Sequence, residues 1–338
     1  MSDNFLLPIV IVGSERSGTN LLRALLSTHS KIASPPPAGF INALGGIQLR
    51  YFPGGHPACL SELIDDVVAL TKTHLNPWDI DLDSKVIEVR VKEASLWEVF
   101  RVVNEIYAEE CGRPCWCSKE PGLFNYISEI ADCVPNARFV YLVRDGRDVA
   151  LSLLRGHLHE FHVYFAAHYW ALSQRSCLSA LADPAHNGRM YVLKYENLID
   201  NPQDEMRDLM HFIGIEFEKQ QLQFYQDARV LDHSRRSRFW KNLARPIDRK
   251  NKGMYRDNLG VKNIEIFESV AWAEMEALGY PLDSTHKKTF THFDIHWYRT
   301  MAFLRKQFWS MDPRAEGRRI RARIRATRQI IDQRIARK

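Results

Sequence analysis

The amino-acid sequence predicts an α/β protein built on a doubly wound, mostly parallel sheet that is flanked by helices and followed by a helical C-terminal extension. Two observations support this fold class. Short apolar segments recur along the chain, each followed by a stretch of helical composition, which is typical of parallel sheets. A glycine-containing loop also follows the first of these segments directly. We predict strands at Ile9–Val12, Val86–Val91, Cys115–Cys117, Phe139–Val143 and Met190–Leu193.

Composition places the chain among ordinary globular proteins. Its 338 residues are 45% hydrophobic and 26% charged, which is enough for a large core in about one or two domains. No apolar run reaches the roughly 18 residues of a membrane-spanning helix, and the short run at Phe5–Val12 lacks the basic flank of a signal peptide. The six cysteines show neither disulfide-framework nor zinc-ligand spacing. We therefore expect reduced thiols in a cytoplasmic protein.

The loop after the first predicted strand has the composition of an anion-binding turn. It reads Gly13-Ser14-Glu15-Arg16-Ser17-Gly18-Thr19-Asn20 and leads into a helix-forming segment. Such a turn directs several backbone N–H groups to one point at the positive end of a helix dipole, which favours phosphate. The spacing of Gly13 and Gly18 is that of a nucleotide-binding P-loop, so a sheet of P-loop type is expected. Thr19 and Asn20 replace the P-loop Lys and the Mg²⁺-binding Ser or Thr, which favours a dianionic donor that needs no metal.

A second anion-binding feature follows the predicted strand at Phe139–Val143. Arg144 comes directly after this strand, and Ser152 lies eight residues further on in a helical segment. This pair can hold a phosphate from two sides, because a planar guanidinium forms paired hydrogen bonds with phosphate oxygens. Ligands bind at the carboxyl ends of parallel strands, so both features are expected at one edge of the sheet. Arg147, in the next helix turn, is interpreted as a surface residue. The segment Leu151–Leu181, which is rich in aromatic residues and histidine, is predicted to be one long helix.

These two features and three further segments, in the same order, resemble the sulfotransferases that use 3′-phosphoadenosine 5′-phosphosulfate (PAPS). The further segments are Ser118-Lys119-Glu120-Pro121, then Val192–Leu198 with Asn201-Pro202 and Phe212-Ile213-Gly214, then Arg249-Lys250 with Gly253–Leu259. The resemblance covers residues 8 to 282. It implies a sulfotransferase domain at residues 1–282 and a separate aromatic and basic extension at residues 283–338.

The resemblance implies a role for each segment. In the family the first loop holds the 5′-phosphosulfate, and the Arg–Ser pair holds the 3′-phosphate. The last segment, here residues 249–259, is implied to be the closing segment that lies over the nucleotide. Lys119 is implied to balance the charge that builds up as the sulfuryl group departs, with Arg16 beside it. The implied nucleotide-binding residues are Arg16, Ser17, Gly18, Thr19, Asn20, Arg144, Ser152, Tyr195, Arg249 and Arg256.

The general base is not identified by the sequence. Sulfuryl transfer to a hydroxyl needs a group within hydrogen-bond reach of the acceptor proton. Residues 34–40, where many relatives place a Glu, contain no carboxylate. His74 lies in a segment with the letters of a family His motif, but far upstream of the matching context, and we interpret this as coincidence. The candidates are Glu120, His56 in the glycine-rich loop, and His157 or His159.

The C-terminal segment carries most of the charge asymmetry. Residues 313–338 contain ten Lys and Arg against Glu316 and Asp332, which is +8, and since the chain carries +5 the remainder carries −3. A basic amphipathic helix is predicted from the helical spacing of Ile320, Ile324, Ile331 and Ile335. With the aromatic segment before it, this helix suits an anionic surface at the inner face of the membrane, the protein body, or a second copy in a homodimer. No nucleic-acid recognition motif is present, and no nucleic-acid partner is expected.

The sequence thus predicts an enzyme that moves the sulfuryl group of PAPS by in-line displacement to a hydroxyl or an amine. Carbohydrate, lipid and small-molecule acceptors all stay open, with loops at residues 35–39 and 52–57 expected to border the acceptor pocket. Two alternatives remain. One is a PAPS-binding protein without turnover, because the expected carboxylate is missing. The other is a P-loop kinase-like enzyme, which predicts Mg²⁺-dependent ATP binding.

Overall fold

The computed structural model describes residues 7–52, 59–156, 161–310 and 315–336. Its centre is a five-stranded sheet in the order β2-β3-β1-β4-β5, in which every neighbouring pair is parallel. The strands are β1 (Ile9–Val12), β2 (Ile32–Ala33), β3 (Cys115–Ser118), β4 (Arg138–Val143) and β5 (Met190–Lys194). The predicted α/β class with a parallel sheet is confirmed.

Helices connect these strands and cover both faces of the sheet. The first half of the chain contains α1 (Thr19–Ser27), α2 (Phe40–Leu44), α3 (Leu60–Thr73), α4 (Ser84–Arg90), α5 (Leu96–Glu110), α6 (Ile127–Cys133) and α7 (Gly146–Gly156). The second half contains α8 (Val163–Ala182), α9 (Tyr195–Asp200), α10 (Pro202–Ile213), α11 (Ala228–Arg236), α12 (Tyr255–Asn258), α13 (Val261–Ala277), α14 (His292–Ser310) and α15 (Ala315–Ile335).

Side chains of the central strands alternate between two apolar cores. In β1, Val10 and Val12 lie in one core with residues of α2 to α8 and α13. Ile9 and Ile11 lie in a second core with residues of α1, α9 and α10. Because successive side chains of a strand point to opposite faces, a strand buried on both sides must be apolar throughout. This is why β1 and the buried part of β4, Phe139–Val143, are uninterrupted apolar runs.

The order of the strands brings two of the predicted features together. The chain runs from β1 to β2 and β3 on one side of the sheet, and then crosses to β4 and β5 on the other. The carboxyl ends of β1 and β4 are therefore neighbours, with Val12 paired to Tyr141. Ligands of open α/β sheets bind outside the strand ends at such a reversal. The loop after β1 and Arg144 after β4 both lie at this edge.

One predicted strand is wrong. The segment Val86–Val91 overlaps helix α4, in which only Ile87 is buried and Val89 is 87% exposed. A strand in a sheet needs several buried positions on one face, and this segment has one. Its β-branched residues therefore do not indicate a strand. The short strand β2 was not predicted, because two residues are too few to show a pattern.

The predicted long helix from Leu151 to Leu181 consists of two helices. α7 ends at Gly156, and α8 begins at Val163. The residue before α8, His162, is its N-cap and accepts a hydrogen bond from the backbone N–H of Tyr164 at 3.2 Å. The aromatic and His-rich composition that suggested continuity therefore includes a helix start.

The C-terminal helix α15 packs on the body of the protein. Ile320 and Ile330 lie against the two apolar cores, whereas Ile324 and Ile335 are 52% and 48% exposed. The helix contacts α2, α3 and the 3₁₀ segment Gly45–Tyr51. Of the alternatives for this helix, packing on the protein body is the one observed.

A partly buried arginine anchors the far end of α15. The Arg334 guanidinium donates to the carboxylates of Glu62 at 2.9 Å and Asp66 at 2.8 Å. Asp66 also accepts a hydrogen bond from the Tyr51 hydroxyl at 2.7 Å. This network ties the C-terminal helix to α3 and to the segment before it.

Helix α14 presents an apolar stripe to solvent. Tyr298 is buried and stacks on His162 with ring centres 4.4 Å apart, which fixes the helix on the body. Four exposed side chains share the opposite face by their helical spacing: Phe293, Trp297, Leu304 and Phe308. Within the residues described here, no helix is long and apolar enough to cross a bilayer.

Candidate active site

The loop between β1 and α1 needs glycine at both ends. Gly13 and Gly18 have φ angles of 138° and 99°, which residues with a side chain rarely adopt. A Cβ on Gly13 would lie 2.4 Å from the carbonyl oxygen of Leu142, and one on Gly18 would lie 2.4 Å from the ring of Tyr195. The glycine spacing noted in the sequence therefore reflects close contacts of this loop with β4 and α9.

The first turn of α1 offers backbone N–H groups without a side-chain cap. Gly18 is the N-cap residue, and the first turn contains no acidic side chain. The hydroxyls of Ser14 and Ser17 bind each other at 2.5 Å, and both serines are fully buried. Uncapped N–H groups at a helix N-terminus attract anions, so residues 17–20 form a phosphate-sized cradle.

Arg16 joins the two predicted anion-binding features. Its Nε donates to the Ser152 hydroxyl at 3.0 Å, and its carbonyl oxygen accepts from Arg144 Nη1 at 3.3 Å. Burial lowers the pKa of Arg16, which Glu15 opposes and Arg144 reinforces. Residues implied for opposite ends of one nucleotide therefore touch, and an anion between the two guanidinium groups would relieve their repulsion.

Arg144 is oriented by an aromatic ring and by a backbone carbonyl. It is only 6% exposed, and its guanidinium carbon lies 4.4 Å from the ring centre of Tyr195. Nη2 donates to the carbonyl oxygen of Asn251 at 2.8 Å, and Asn251 in turn donates to the Tyr195 hydroxyl at 2.8 Å. Asn251 was not identified from the sequence, although it lies in the predicted closing segment.

The closing segment is fixed by a carboxylate on α7. Asp148 accepts hydrogen bonds from the backbone N–H of Gly253 at 2.7 Å and of Tyr255 at 2.9 Å. Arg249 and Arg256, the two residues predicted here, are exposed at the rim of this segment. The Arg256 guanidinium lies over the Tyr255 ring, 4.8 Å from its centre. Their contact with a nucleotide remains a prediction.

The interpretation of Arg147 as a surface residue is wrong. Its side chain is fully buried and pairs with Asp145 at 2.7 Å and Glu268 at 2.5 Å. Burial by itself lowers the pKa of Arg147, but the hydrogen bonds to Asp145 and Glu268 raise it above its ordinary value. The sequence could not show this, because Glu268 belongs to α13, which packs on α7 only in the folded chain.

Lys119 and Glu120 lie in the interior, directly after β3. Burial lowers the pKa of Lys119, while Glu15 and Glu120 oppose the shift. Both carboxylate oxygens of Glu120 are held by the loop of residues 35–39, through the backbone N–H groups of Ala38 and Gly39, the latter at 2.6 Å. Burial nevertheless raises the pKa of Glu120 to about 7. The structure thus places a lysine and a readily protonated carboxyl beside the loop predicted to border the acceptor.

His74 is closer to this site than its position in the sequence suggests. It is 8% exposed, and its pKa is lowered to about 3, first by burial and then by the charges of Arg323 and Lys119. The segment dismissed as a coincidental match therefore lies near Lys119. The other histidine candidates, His56, His157 and His159, lie outside the described residues.

Several residues around the site have no signal in the sequence. Tyr169 of α8 accepts a hydrogen bond from the backbone N–H of Glu15 at 3.2 Å. Arg323 of α15 donates to the carbonyl oxygen of Ala38 at 3.4 Å. Only tertiary contacts reveal such residues. Over the described ranges, no cluster of His, Cys, Asp and Glu side chains has the arrangement of a metal site.

The profile of the sulfotransferase family matches residues 8–219. The protein-tyrosine sulfotransferase of Drosophila melanogaster is 22% identical over 223 residues, which cover 62% of this chain and 38% of that protein. The omega-hydroxy-beta-dihydromenaquinone-9 sulfotransferase of Mycobacterium bovis (strain ATCC BAA-935 / AF2122/97) is 24% identical over 253 residues, which cover 62% of this chain and 63% of that protein. The chain therefore spans less than two thirds of the length of these two relatives.

A solved structure shows the same fold. The sulfotransferase domain from the curacin biosynthetic pathway has a TM-score of 0.54 and 24% identity, covering 82% of this chain and 99% of that domain. The family match extends over more than half of the 338 residues and includes both anion-binding features. The chain belongs to the sulfotransferase family of transferase enzymes.

Proposed function

We propose that this protein transfers the sulfuryl group of PAPS to a hydroxyl or an amine of an acceptor. The observation that carries the proposal is the meeting of two cationic features at adjacent strand ends, where Arg144 donates to the backbone of Arg16 at 3.3 Å. A nucleotide with a 3′-phosphate and a 5′-phosphosulfate has one anionic group for each feature. Family membership supports the same donor.

The residues present fit such a donor. The uncapped turn at residues 17–20 would hold the 5′ end, and Arg144 with Ser152 would hold the 3′-phosphate. Tyr195 lies between them, because its ring touches both Gly18 and Arg144. Arg249 and Arg256 would add outer contacts from the closing segment.

Transfer is an in-line displacement in this proposal. The acceptor oxygen forms a bond to sulfur, the bond between sulfur and the bridging oxygen breaks, and adenosine 3′,5′-bisphosphate leaves with the electron pair. Lys119 and Arg16 would stabilise the charge that develops on that oxygen. Burial lowers the pKa of Lys119, and the negative charge of a bound donor would raise it again.

Glu120 is the proposed base in the described part of the chain. Its pKa of about 7 allows it to accept the acceptor proton near neutral pH. The N–H of Ala38 binds one carboxylate oxygen of Glu120, and the N–H of Gly39 binds the other. Each oxygen therefore keeps a second lone pair that can take the proton of the acceptor hydroxyl.

The acceptor and the location are proposed at a coarser level. The relatives are named for tyrosine in proteins and for omega-hydroxy-beta-dihydromenaquinone-9, which favours a hydroxyl over an amine as the acceptor group. The six free cysteines support a cytoplasmic protein.

The apolar stripe of α14 and the basic α15 support contact with an anionic membrane surface. Failure of the protein to sediment with phosphatidylglycerol vesicles would refute that contact. If the protein is a dimer and Trp297→Glu is a monomer, the stripe contacts a second copy instead.

Calorimetric titration with adenosine 3′,5′-bisphosphate tests the proposed function. Arg144→Ala should weaken binding about 10- to 100-fold, since a hydrogen bond to a charged group contributes roughly 1.5–3 kcal/mol. Arg207→Ala, which removes an exposed arginine on α10, is the matched control. Unchanged affinity in Arg144→Ala would refute the 3′-phosphate assignment.

Nucleotide binding and product release together separate the two alternative functions. Mg²⁺-dependent ATP binding without bisphosphate binding would favour the kinase-like enzyme. Tight bisphosphate binding with no release of product from PAPS, across a broad panel of hydroxyl and amine acceptors, would favour a binding protein without turnover.

A further inference from the structure

A cavity of about 350 Å³ lies between α15 and the end of α3. One wall is formed by residues 73–75 and the other by Arg319, Ala322, Arg323 and Ala326 of α15. Among the described residues that line it, two are arginines and none is acidic. The cavity is therefore an open, basic space that is bordered by the C-terminal helix.

The first arginine of the cavity is anchored in the wall. Arg319 donates through Nη2 to the carbonyl oxygen of Leu75 at 3.2 Å and through Nη1 to that of Arg236 at 3.3 Å. Carbonyl oxygens orient a guanidinium but do not neutralise it. The positive charge of Arg319 thus remains at the cavity.

The second arginine has few partners for its donors. The guanidinium of Arg323 carries five N–H donors, and over the described residues its single hydrogen bond is the 3.4 Å contact with Ala38. Burial lowers the pKa of Arg323, which shows that the surroundings do not fully compensate its charge, although Glu120 and Glu15 favour the cation. A partly buried cation with unused donors is suited to an incoming anion.

The cavity adjoins the proposed reaction centre. Arg323 Nη2 lies 2.4 Å from the position that a Cβ on Gly39 would occupy. Gly39 and Ala38 are the residues whose N–H groups hold the carboxylate of Glu120. On the opposite wall, His74 is close enough to Lys119 for that charge to lower its pKa. A group bound at Arg323 is thus next to the loop that positions the proposed base.

We propose that this cavity is the acceptor subsite, and that Arg323 and Arg319 bind an anionic carboxylate or phosphate group of the acceptor. The inference rests on the proposed function. A bidentate contact with Arg323 fixes one end of the acceptor while its hydroxyl faces Glu120 and Lys119. The C-terminal helix thereby selects acceptors that carry a negative charge in addition to the reacting hydroxyl.

Calorimetry on protein saturated with adenosine 3′,5′-bisphosphate tests this subsite, because the nucleotide occupies the phosphate sites of the sheet edge. The probes are phenyl phosphate and benzoate, with benzyl alcohol as the neutral counterpart. Wild-type protein should bind at least one anionic probe at least tenfold more tightly than benzyl alcohol. Arg323→Gln should lose at least tenfold in that affinity, and Arg323→Lys should lose less, because the charge remains.

Arg325→Gln is the matched control, since it removes the same charge from the exposed opposite face of α15. Melting temperatures show whether the variants remain folded. Three results would overturn the inference. The probes could bind wild type and Arg323→Gln equally well, the bisphosphate could abolish their binding, or they could fail to bind at all. If the wild-type protein does not bind the bisphosphate at all, the proposed function is contradicted instead. Probe binding that depends on Arg323 would in that case still support an anion-binding site in the cavity.

Discussion

Arg16 and Arg323 bring positive charge to the two proposed halves of the active site by different routes. Arg16 lies in a loop whose shape is set by two nearby glycines, Gly13 and Gly18, and by the start of α1. Arg323 is carried on a helix 285 residues away from its contact at Ala38. That helix is held in place by apolar packing and by the Arg334 network.

The difference shows how the two halves of the site are specified. The proposed nucleotide half is a property of a local strand–loop–helix unit, repeated at β4, and its geometry follows from the sheet. The proposed acceptor half is assembled from loop 35–39, the end of α3 and α15, which share no local pattern. Substitutions should therefore affect donor binding and acceptor binding separately.

Lys119 lies where the two halves meet, and its substitution should have the largest effect. Lys119→Met should lower kcat about 10²- to 10³-fold, or about 3–4 kcal/mol, because a preorganised charge at the leaving oxygen is lost. The affinity for adenosine 3′,5′-bisphosphate should change little. Release of the bisphosphate from PAPS measures kcat, with the exposed Lys85→Met as control. A matching loss of nucleotide affinity would assign Lys119 to the donor half instead.

Glu120 links the halves through its hydrogen bonds to Ala38 and Gly39, and its burial predicts a pH-dependent stability. The folded-state pKa of about 7 lies above the ordinary 4.5, so the folded protein keeps this proton while the unfolded chain loses it. Stability contributed by the protonated group is present below pH 4.5 and is lost as the pH rises to about 7. The free energy of unfolding of wild type relative to Glu120→Gln should fall by about 3 kcal/mol over this interval.

Urea denaturation of both proteins at several pH values measures this difference. Glu129→Gln, which alters a carboxyl on the adjacent helix α6, is the control. A flat difference between pH 4.5 and 7 would show that the N–H groups of Ala38 and Gly39 compensate the burial fully.

Arg334 tests whether α15 is a stable part of the acceptor half. Arg334→Ala removes the contacts with Glu62 and Asp66 and should lower stability by about 1–2 kcal/mol. Binding of phenyl phosphate should weaken as the helix loosens, and binding of adenosine 3′,5′-bisphosphate should not. Arg328→Ala, on the exposed side of the helix, is the comparison. Equal losses for both ligands would mean that the two halves are coupled through α15.

The position of the proposed donor half at the edge of the sheet could be predicted from the sequence, whereas that of the proposed acceptor half could not. Gly13 and Arg144 each directly follow a strand, and Gly18 ends the loop that Gly13 begins, so local spacing places all three at the edge of the sheet. Asn251 contacts Arg144 and Tyr195 from a segment whose path over the site depends on Asp148. Arg147 has the same type of side chain as Arg144 three residues earlier, yet it forms a buried ion pair with Glu268 of α13 instead of lying at the edge of the sheet.

The sequence by itself determined the parallel sheet, the cradle after β1 and the arginine after β4, because these depend on strand-length apolar runs and on glycines within a single turn. Only the tertiary structure decided that α15 packs on the body, that His74 lies near Lys119 and that Arg323 faces the loop at Ala38. The physical reason is that these residues meet through side-chain packing between distant elements. Such packing depends on the shape of the whole core, which no local periodicity encodes.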